Sequence, residues 1–269
     1  MISNWVAVVA GLTLALRASA FVSHPRHGTF IRGSKSPSPL HMSTSEDISL
    51  DPSETALVFI EFQNEFTTEG GKLHDAVKEC MDATGTIENA QKVMNAARES
   101  GFPVFHCPIH FESGHKEISN TPYGVLAGVK EAKAFTAGEW GADFCEGVKP
   151  EEDEVVVKGK SGLCGFTSTN LDFLLSQRSI RNVVLAGFLT NCCIESTMRT
   201  AYEKGYRVYT LQDCCAATSL EAHDNAIAND FGLFSIVTTS TDVIHAMKTA
   251  ATKPNINEYE KQQPELLTM

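Results

Sequence analysis

Residues 182–197 read Asn-Val-Val-Leu-Ala-Gly-Phe-Leu-Thr-Asn-Cys-Cys-Ile-Glu-Ser-Thr, an apolar run that leads into a polar turn. The apolar run predicts a buried strand, and the residues from Cys193 to Lys204 predict a helix. A cysteine in the first turn of a helix lies near unpaired backbone N–H groups, which favour the thiolate. The same pattern is consistent with Cys192 and Cys193 as small buried apolar residues, the usual role of a free cysteine.

On both sides of this stretch, short apolar runs alternate with longer amphipathic ones. Strands are predicted at Ala56–Ile60, Pro103–Cys107, Glu154–Val157, Asn182–Gly187, Tyr206–Leu211 and Leu233–Val237. Helices are predicted at 86–100, 169–179, 193–204, 221–230 and 241–249, and a long, weakly periodic connection occupies 108–152. This alternation predicts a parallel sheet that is covered by helices on both faces.

The first 47 residues predict a targeting sequence in two parts. Residues 1–20 combine an apolar run, too short to span a bilayer comfortably, with small residues at its end, which is typical of a signal peptide. Residues 21–47 begin with a Ser-rich, basic stretch that resembles a transit peptide. The junction Ala18-Ser-Ala-Phe21 resembles that of the bipartite plastid presequences of algae with secondary plastids. We therefore expect a plastid location, with secretion as the alternative.

The remaining chain is acidic and contains many thiols. Residues 46–269 carry 18 Lys and Arg against 33 Asp and Glu, a balance of −15. An acidic body repels phosphate backbones, so we expect no nucleic acid partner, and we expect no membrane association of the mature form. The eight cysteines include two adjacent pairs and no CxxC spacing. That arrangement is typical of thiols in a reducing compartment.

Polar residues follow three of the predicted strands. Glu61 follows the first strand, Lys158 and Lys160 follow the third, and Cys193 follows the fourth. Ligands of parallel sheets bind outside the carboxyl ends of the strands, near a switch in strand order. We therefore expect a carboxylate, an ammonium and a thiol to meet at one edge, where they could carry out acyl transfer.

Three ordered motifs lie at these strand ends: Ile60-Glu-Phe-Gln-Asn-Glu-Phe66, Lys160-Ser-Gly-Leu-Cys-Gly-Phe-Thr-Ser-Thr-Asn-Leu171 and Gly187-Phe-Leu-Thr-Asn-Cys-Cys-Ile-Glu-Ser-Thr197. They resemble the motifs of the isochorismatase-like cysteine hydrolases, which include nicotinamidases, N-carbamoylsarcosine amidohydrolases and ureidoacrylate hydrolases. The resemblance covers residues 53–245. It implies an α/β fold, a three-layer α/β/α sandwich around a six-stranded, mostly parallel, Rossmann-like sheet. We expect this domain at 48–251, followed by a polar tail at 252–269.

The resemblance implies an Asp–Lys–Cys catalytic set, which falls on Glu61, Lys160 and Cys193. The spacing of the second motif selects Lys160, and Lys158 is the fallback. Glutamate stands at position 61 where the family has aspartate. Its extra methylene moves the carboxylate by more than about 1 Å, and a misplacement of that size can lower a rate by about a hundredfold. We expect a pocket rebuilt around the longer acid, with weak activity as the alternative.

The resemblance also implies how a substrate would be held. It places a cis peptide bond between Phe188 and Leu189 and an oxyanion hole at the backbone N–H groups of Leu189 and Cys193. The residues expected to contact the substrate are Asn64, Phe66, Trp140, Phe166 and Thr190. For each aromatic residue among them, ordinary core packing is the alternative.

The resemblance thus implies a hydrolase of a small amide or ureido substrate that acts through a thioester, as a homodimer or tetramer. No cofactor and no metal are expected. Pro108 stands where nicotinamidases have an aspartate ligand, so His110 and His115 are expected to be surface or pocket residues. The alternatives are an ether hydrolase of the isochorismatase type and a catalytically silent binding or scaffold protein, for which Glu61 would be the mark.

Overall fold

The computed structural model of the protein describes residues 48–252. The predicted segments 1–20 and 21–47, and the predicted tail beyond its first residue, lie outside the described residues. Within 48–252, no helix combines the length and the apolar character needed to cross a membrane.

Six strands form the central sheet. They are β1 Thr55–Ile60, β2 Val104–Cys107, β3 Val155–Val156, β4 Asn182–Phe188, β5 Arg207–Ala216 and β6 Ile236–Thr238. The strand order is β3-β2-β1-β4-β5-β6, and every pairing is parallel. Every residue of β1 and β2 is buried, as expected of strands covered on both faces. The predicted α/β class is confirmed.

Helices cover both faces of this sheet. They are α1 Asn64–Thr67, α2 His74–Thr84, α3 Thr86–Glu99, α4 Gly124–Ala132, α5 Leu171–Gln177, α6 Glu195–Glu203, α7 Leu220–Ala226, α8 Gly232–Phe234 and α9 Ser240–Ala251. Leu57 and Phe59 of β1 join a core beneath α2, α3 and α9. Val58 and Ile60 point the other way, into a second core beneath α5, α6 and α7. The strands thus separate two cores, which is the predicted three-layer sandwich.

Some elements differ from the sequence-based assignment. The predicted connection 108–152 contains α4 and two short 3-10 turns, Trp140–Ala142 and Glu146–Val148. The sixth strand was predicted at Leu233–Val237, but it begins at Ile236 because the preceding residues are helical. A five-residue apolar run does not distinguish a buried strand from a buried helical turn, and tertiary packing settled the choice.

The strand order creates a switch point between β1 and β4. The chain moves from β1 outward to β2 and β3 and then returns to the other side of β1 as β4. Gly187 allows this close approach, because a Cβ there would lie 1.9 Å from the carbonyl oxygen of Ile60. Glu61 and the turn after Phe188 therefore emerge at neighbouring carboxyl ends, where ligands bind in sheets of this type.

A charged network lies beside β2 and β3, at one edge of the sheet. Arg98 Nε donates to Glu154 Oε1 at 2.8 Å, and the buried His106 ring contacts Glu154 Oε2 at 2.9 Å. Burial would raise the pKa of Glu154, but Arg98, a backbone N–H and His106 outweigh it and lower the pKa to about 2. Burial lowers the pKa of His106, so its ring is neutral at neutral pH.

We expect Glu154→Gln to reduce the acid sensitivity of the fold. Since the folded pKa of Glu154 lies below its ordinary value of 4.5, its contribution is complete above about pH 4.5 and is lost as the pH falls toward 2. The variant should lose about 1–3 kcal/mol of stability at neutral pH. Thermal midpoints measured from pH 7 to pH 2 should therefore converge with those of the parent at low pH. Parallel curves would contradict this account.

Candidate active site

A buried ion pair lies at the carboxyl edge of the sheet. Lys160 Nζ donates to Glu61 Oε1, and it also donates to the carbonyl oxygen of Gly162 at 2.7 Å. Both Glu61 and Lys160 are only 2% exposed. Burial opposes the charge of Lys160, but its pKa is raised, because the paired Glu61 carboxylate favours the charged form. The lysine is therefore an ammonium at neutral pH.

The local backbone explains which lysine takes part. Glu61 has a left-handed conformation with φ of 58°, and it ends β1 so that its carboxylate turns toward the β3 side. Lys160 follows β3 after Gly159, whose φ of 91° favours glycine. Lys158, the fallback, is exposed, while Lys160 is buried against Glu61. The structure thus brings Glu61 together with Lys160.

Cys193 lies in a π-helical turn, Thr190–Ile194, between β4 and α6. It is 5% exposed. A hydrogen bond with Cys192, burial and the Glu61 carboxylate hold the pKa of the Cys193 thiol well above its ordinary value, although Lys160 opposes them. The helix position favours a thiolate, but the hydrogen bond with Cys192 and burial outweigh that effect and favour the protonated thiol.

The site accordingly contains the Glu61–Lys160 ion pair and the Cys193 thiol, whose pKa is raised. Cys193 interacts electrostatically with both Glu61 and Lys160, which indicates that its thiol lies near the ion pair. A thiol in this setting can be activated only as it reacts, by transfer of its proton to a base.

The turn before Cys193 is tightly held. The Phe188–Leu189 peptide bond is cis. The carbonyl oxygen of Leu189 accepts hydrogen bonds from the N–H groups of Cys192 and Ile194, each at 3.1 Å. The Thr190 hydroxyl is buried against the His223 ring, with Oγ1 and Nδ1 2.8 Å apart. These contacts fix the backbone where the oxyanion hole of Leu189 and Cys193 is expected.

The aromatic residues expected to contact a substrate lie in different surroundings. Phe66 is buried and stacks on Phe188, with ring centroids 5.3 Å apart. Phe166 is nearly buried and stacks on Tyr206 at the amino end of β5. Trp140 is 51% exposed at the start of its 3-10 turn. Of the three, only Trp140 is exposed, and contact of any of them with a substrate stays a prediction.

Three polar residues near the site were not predicted from the sequence. Gln63 and Glu65 flank Asn64 in the first motif, and all three side chains bind the connection between β2 and β3. His223 reaches Thr190 from α7, and burial lowers its pKa, so its ring is neutral. Polar side chains between apolar Phe62 and Phe66 were the available signal for the first pair. No local pattern marks His223.

The histidines of the connection bind backbone rather than one another. His110 is exposed, and its Nε2 lies 3.3 Å from the carbonyl oxygen of Ala142. His115 is buried, and its Nε2 lies 2.8 Å from the carbonyl oxygen of Ala134. Across residues 48–252, no cluster of three or more His, Cys, Asp or Glu side chains is arranged to hold a metal ion.

Comparison with known proteins agrees with this architecture. Residues 55–242 match the isochorismatase domain family. The ureidoacrylate amidohydrolase RutB of Rhizobium rhizogenes is 32% identical over 179 residues, which cover 62% of this chain and 72% of that protein.

Solved structures show the same fold. A cysteine hydrolase from Pseudomonas syringae pv. phaseolicola aligns with a TM-score of 0.64 and 24% identity, over 76% of this chain and 96% of that one. The N-carbamoylsarcosine amidase from Thermoplasma acidophilum aligns with a TM-score of 0.55 and 26% identity, over 70% of this chain and 96% of that one.

Proposed function

The chain belongs to the isochorismatase family of hydrolases, and we propose that it hydrolyses a C–N bond of a small amide or ureido substrate through a thioester on Cys193. The observation that carries the proposal is the buried Glu61–Lys160 pair beside the Cys193 thiol. The similarity to a ureidoacrylate amidohydrolase and to an N-carbamoylsarcosine amidase supports this substrate class.

In the first stage, Glu61 accepts the thiol proton as Cys193 Sγ attacks the carbonyl carbon. Lys160 stays charged and stabilises the sulfur while negative charge develops on it. The C–N bond then breaks, and the protonated Glu61 returns its proton to the leaving nitrogen. The acyl or carbamoyl group remains on Cys193 as a thioester.

In the second stage, water attacks the thioester carbon and gives a proton to Glu61. The C–S bond breaks, and the sulfur of Cys193 leaves and recovers that proton. A simple amide thus yields a carboxylic acid and an amine or ammonia. A ureido substrate yields its amine and a carbamate, which decomposes to carbon dioxide and ammonia.

Two further functions compete with this one. Ether cleavage of the isochorismatase type does not need a nucleophilic thiol, so the placement of Cys193 beside Glu61 and Lys160 favours C–N hydrolysis. A silent binding protein does not need a buried base at position 61. The Glu61–Lys160 contact supplies such a base despite the change from aspartate.

A substrate panel tests the proposal. We expect at least one primary amide, N-carbamoyl amino acid or ureidoacrylate to release ammonia together with the matching amine or acid product. Isochorismate should release no pyruvate. Release of pyruvate would establish ether cleavage, and ligand binding by calorimetry without turnover of any panel member would establish a silent binding protein.

A further inference from the structure

We infer that Gln63, Asn64 and Glu65 form a positioning clamp, which ties the Trp140–Ala142 turn to the chain segment that follows Glu61 and has Glu65 as its anchor. The kinetic part of this inference rests on the proposed function. The structural part stands on the hydrogen bonds of the three side chains.

Gln63 binds two separate parts of the connection. Its Nε2 donates to the carbonyl oxygens of Ile109 at 2.9 Å and Ala142 at 2.7 Å. Its Oε1 accepts from the N–H of Ile109 at 2.8 Å. Since Gln63 is fully buried, each of these bonds replaces one that water would otherwise make. The side chain therefore joins the start and the end of the connection.

Asn64 holds the first residue of the turn. Its Nδ2 donates to the carbonyl oxygen of Trp140 at 2.9 Å, and its Oδ1 accepts from the Thr68 hydroxyl at 2.8 Å. Both the nitrogen and the oxygen of the Asn64 amide are thus hydrogen bonded. The backbone of Trp140 is fixed while its indole stays half exposed. An apolar ring held in this way suits contact with a substrate.

Glu65 is a buried carboxylate with several donors. Its Oε1 accepts from the N–H of Phe135 at 3.1 Å, and its Oε2 accepts from the N–H of Lys72 at 2.7 Å. The Lys72 ammonium lies 3.2 Å from Oε1 and neutralises the charge. Gly141 packs so closely that a Cβ there would lie 2.6 Å from Glu65 Cδ. The middle of the turn is therefore shaped around this carboxylate.

The clamp is directly connected to the proposed catalytic groups. Gln63 follows Glu61 by two residues, and its partner Ile109 precedes His110, whose N–H donates to the carbonyl oxygen of Lys160 at 3.0 Å. One short network thus sets the turn relative to both members of the ion pair. A shift of about 1 Å in a segment that positions a substrate can lower the rate by about a hundredfold.

The test compares Glu65→Gln with Glu154→Gln, a second buried carboxylate that accepts from an arginine and a backbone N–H. In the Glu65→Gln variant, the side-chain NH2 group would face one of the two backbone N–H groups that donate to Glu65, so that hydrogen bond could not form. We expect amide hydrogen exchange in 133–142 to become at least about tenfold faster, with the sheet unchanged. We expect kcat/KM to fall by about ten- to a hundredfold. Glu154→Gln should leave both quantities at the parent values.

Unchanged exchange in 133–142 of the folded Glu65→Gln variant would overturn the clamp, whether or not a substrate has been found. Faster exchange with an unchanged kcat/KM would overturn its role in positioning. If Glu65→Gln does not fold, Gly141→Ala tests the same contact from the other side, and the same two changes are expected. Absence of turnover in the parent would contradict the proposed function alone, because the exchange measurement does not depend on it.

Discussion

Replacing Cys193 with alanine is expected to lower kcat for the best substrate by about 10⁴-fold or more, while the protein stays folded. Removing the nucleophile of a catalytic set leaves only binding and oxyanion stabilisation, which supply a small part of the rate. Alanine removes one buried sulfur from a site that retains its ion pair, so the fold should tolerate the change. Steady-state kinetics and thermal unfolding measure the two effects separately.

Cys192→Ala is the matched control. Cys192 is adjacent and half-buried, and it hydrogen bonds to Cys193. It should keep most of the activity, because it donates no atom to the substrate in the proposed mechanism. The parent should also show an acyl mass adduct on the peptide containing Cys193 after rapid acid quenching. Equal losses in the two variants, or an adduct on Cys192, would show that the nucleophile is misassigned.

Replacing Lys160 with methionine should produce the largest loss of stability in the site. The variant leaves the buried Glu61 carboxylate without its counter-ion, and breaking a buried pair in this way typically costs about 3–5 kcal/mol. The thiolate that forms during attack would also lose its nearby positive charge, so turnover should vanish. Urea unfolding gives the change in free energy, provided the slope is unchanged.

The double variant Lys160→Met with Glu61→Gln separates charge from shape. Removing both charges takes away the uncompensated carboxylate, so we expect most of the lost stability to return. Activity should stay absent, because the general base is gone. If the double variant is as unstable as Lys160→Met, the loss comes from packing around the long lysine stem, and the account based on charge is wrong.

The sheet was predictable because its strands are buried on both faces. Runs such as Ala56–Ile60 are continuously apolar, and such a run can be recognised without knowing which elements pack against it. The ends of these runs also pointed to Glu61, the Lys158 and Lys160 pair, and Cys193, because the carboxyl ends of parallel strands meet at one edge. The resemblance to the family then selected Lys160. The helix α2 and the helix α4 within the connection were not predicted, since their burial depends on contacts with residues distant in the sequence.

The clamp could not be read from local patterns. Gln63 and Ala142 are 79 positions apart, and Glu65 and Phe135 are 70 positions apart. Hydrogen bonds between side chains and backbone carry no information about the identity of the backbone partner, because nearly every residue offers the same N–H and the same carbonyl. Phe66 shows the same limit, since the stacking that buries it against Phe188 depends on how α1 packs against the end of β4.

The local chemistry of the chain was enough to establish a parallel α/β sheet and to bring a carboxylate, a lysine and a cysteine to one edge of it. Apolar runs and short motifs involve residues that are adjacent in the sequence, so they can be recognised from the sequence alone. Tertiary structure alone decided that Lys158 stays exposed while Lys160 is buried against Glu61, and that the surroundings of the Cys193 thiol raise its pKa. Protonation depends on burial and on distances through space, which are set only when segments about a hundred residues apart meet.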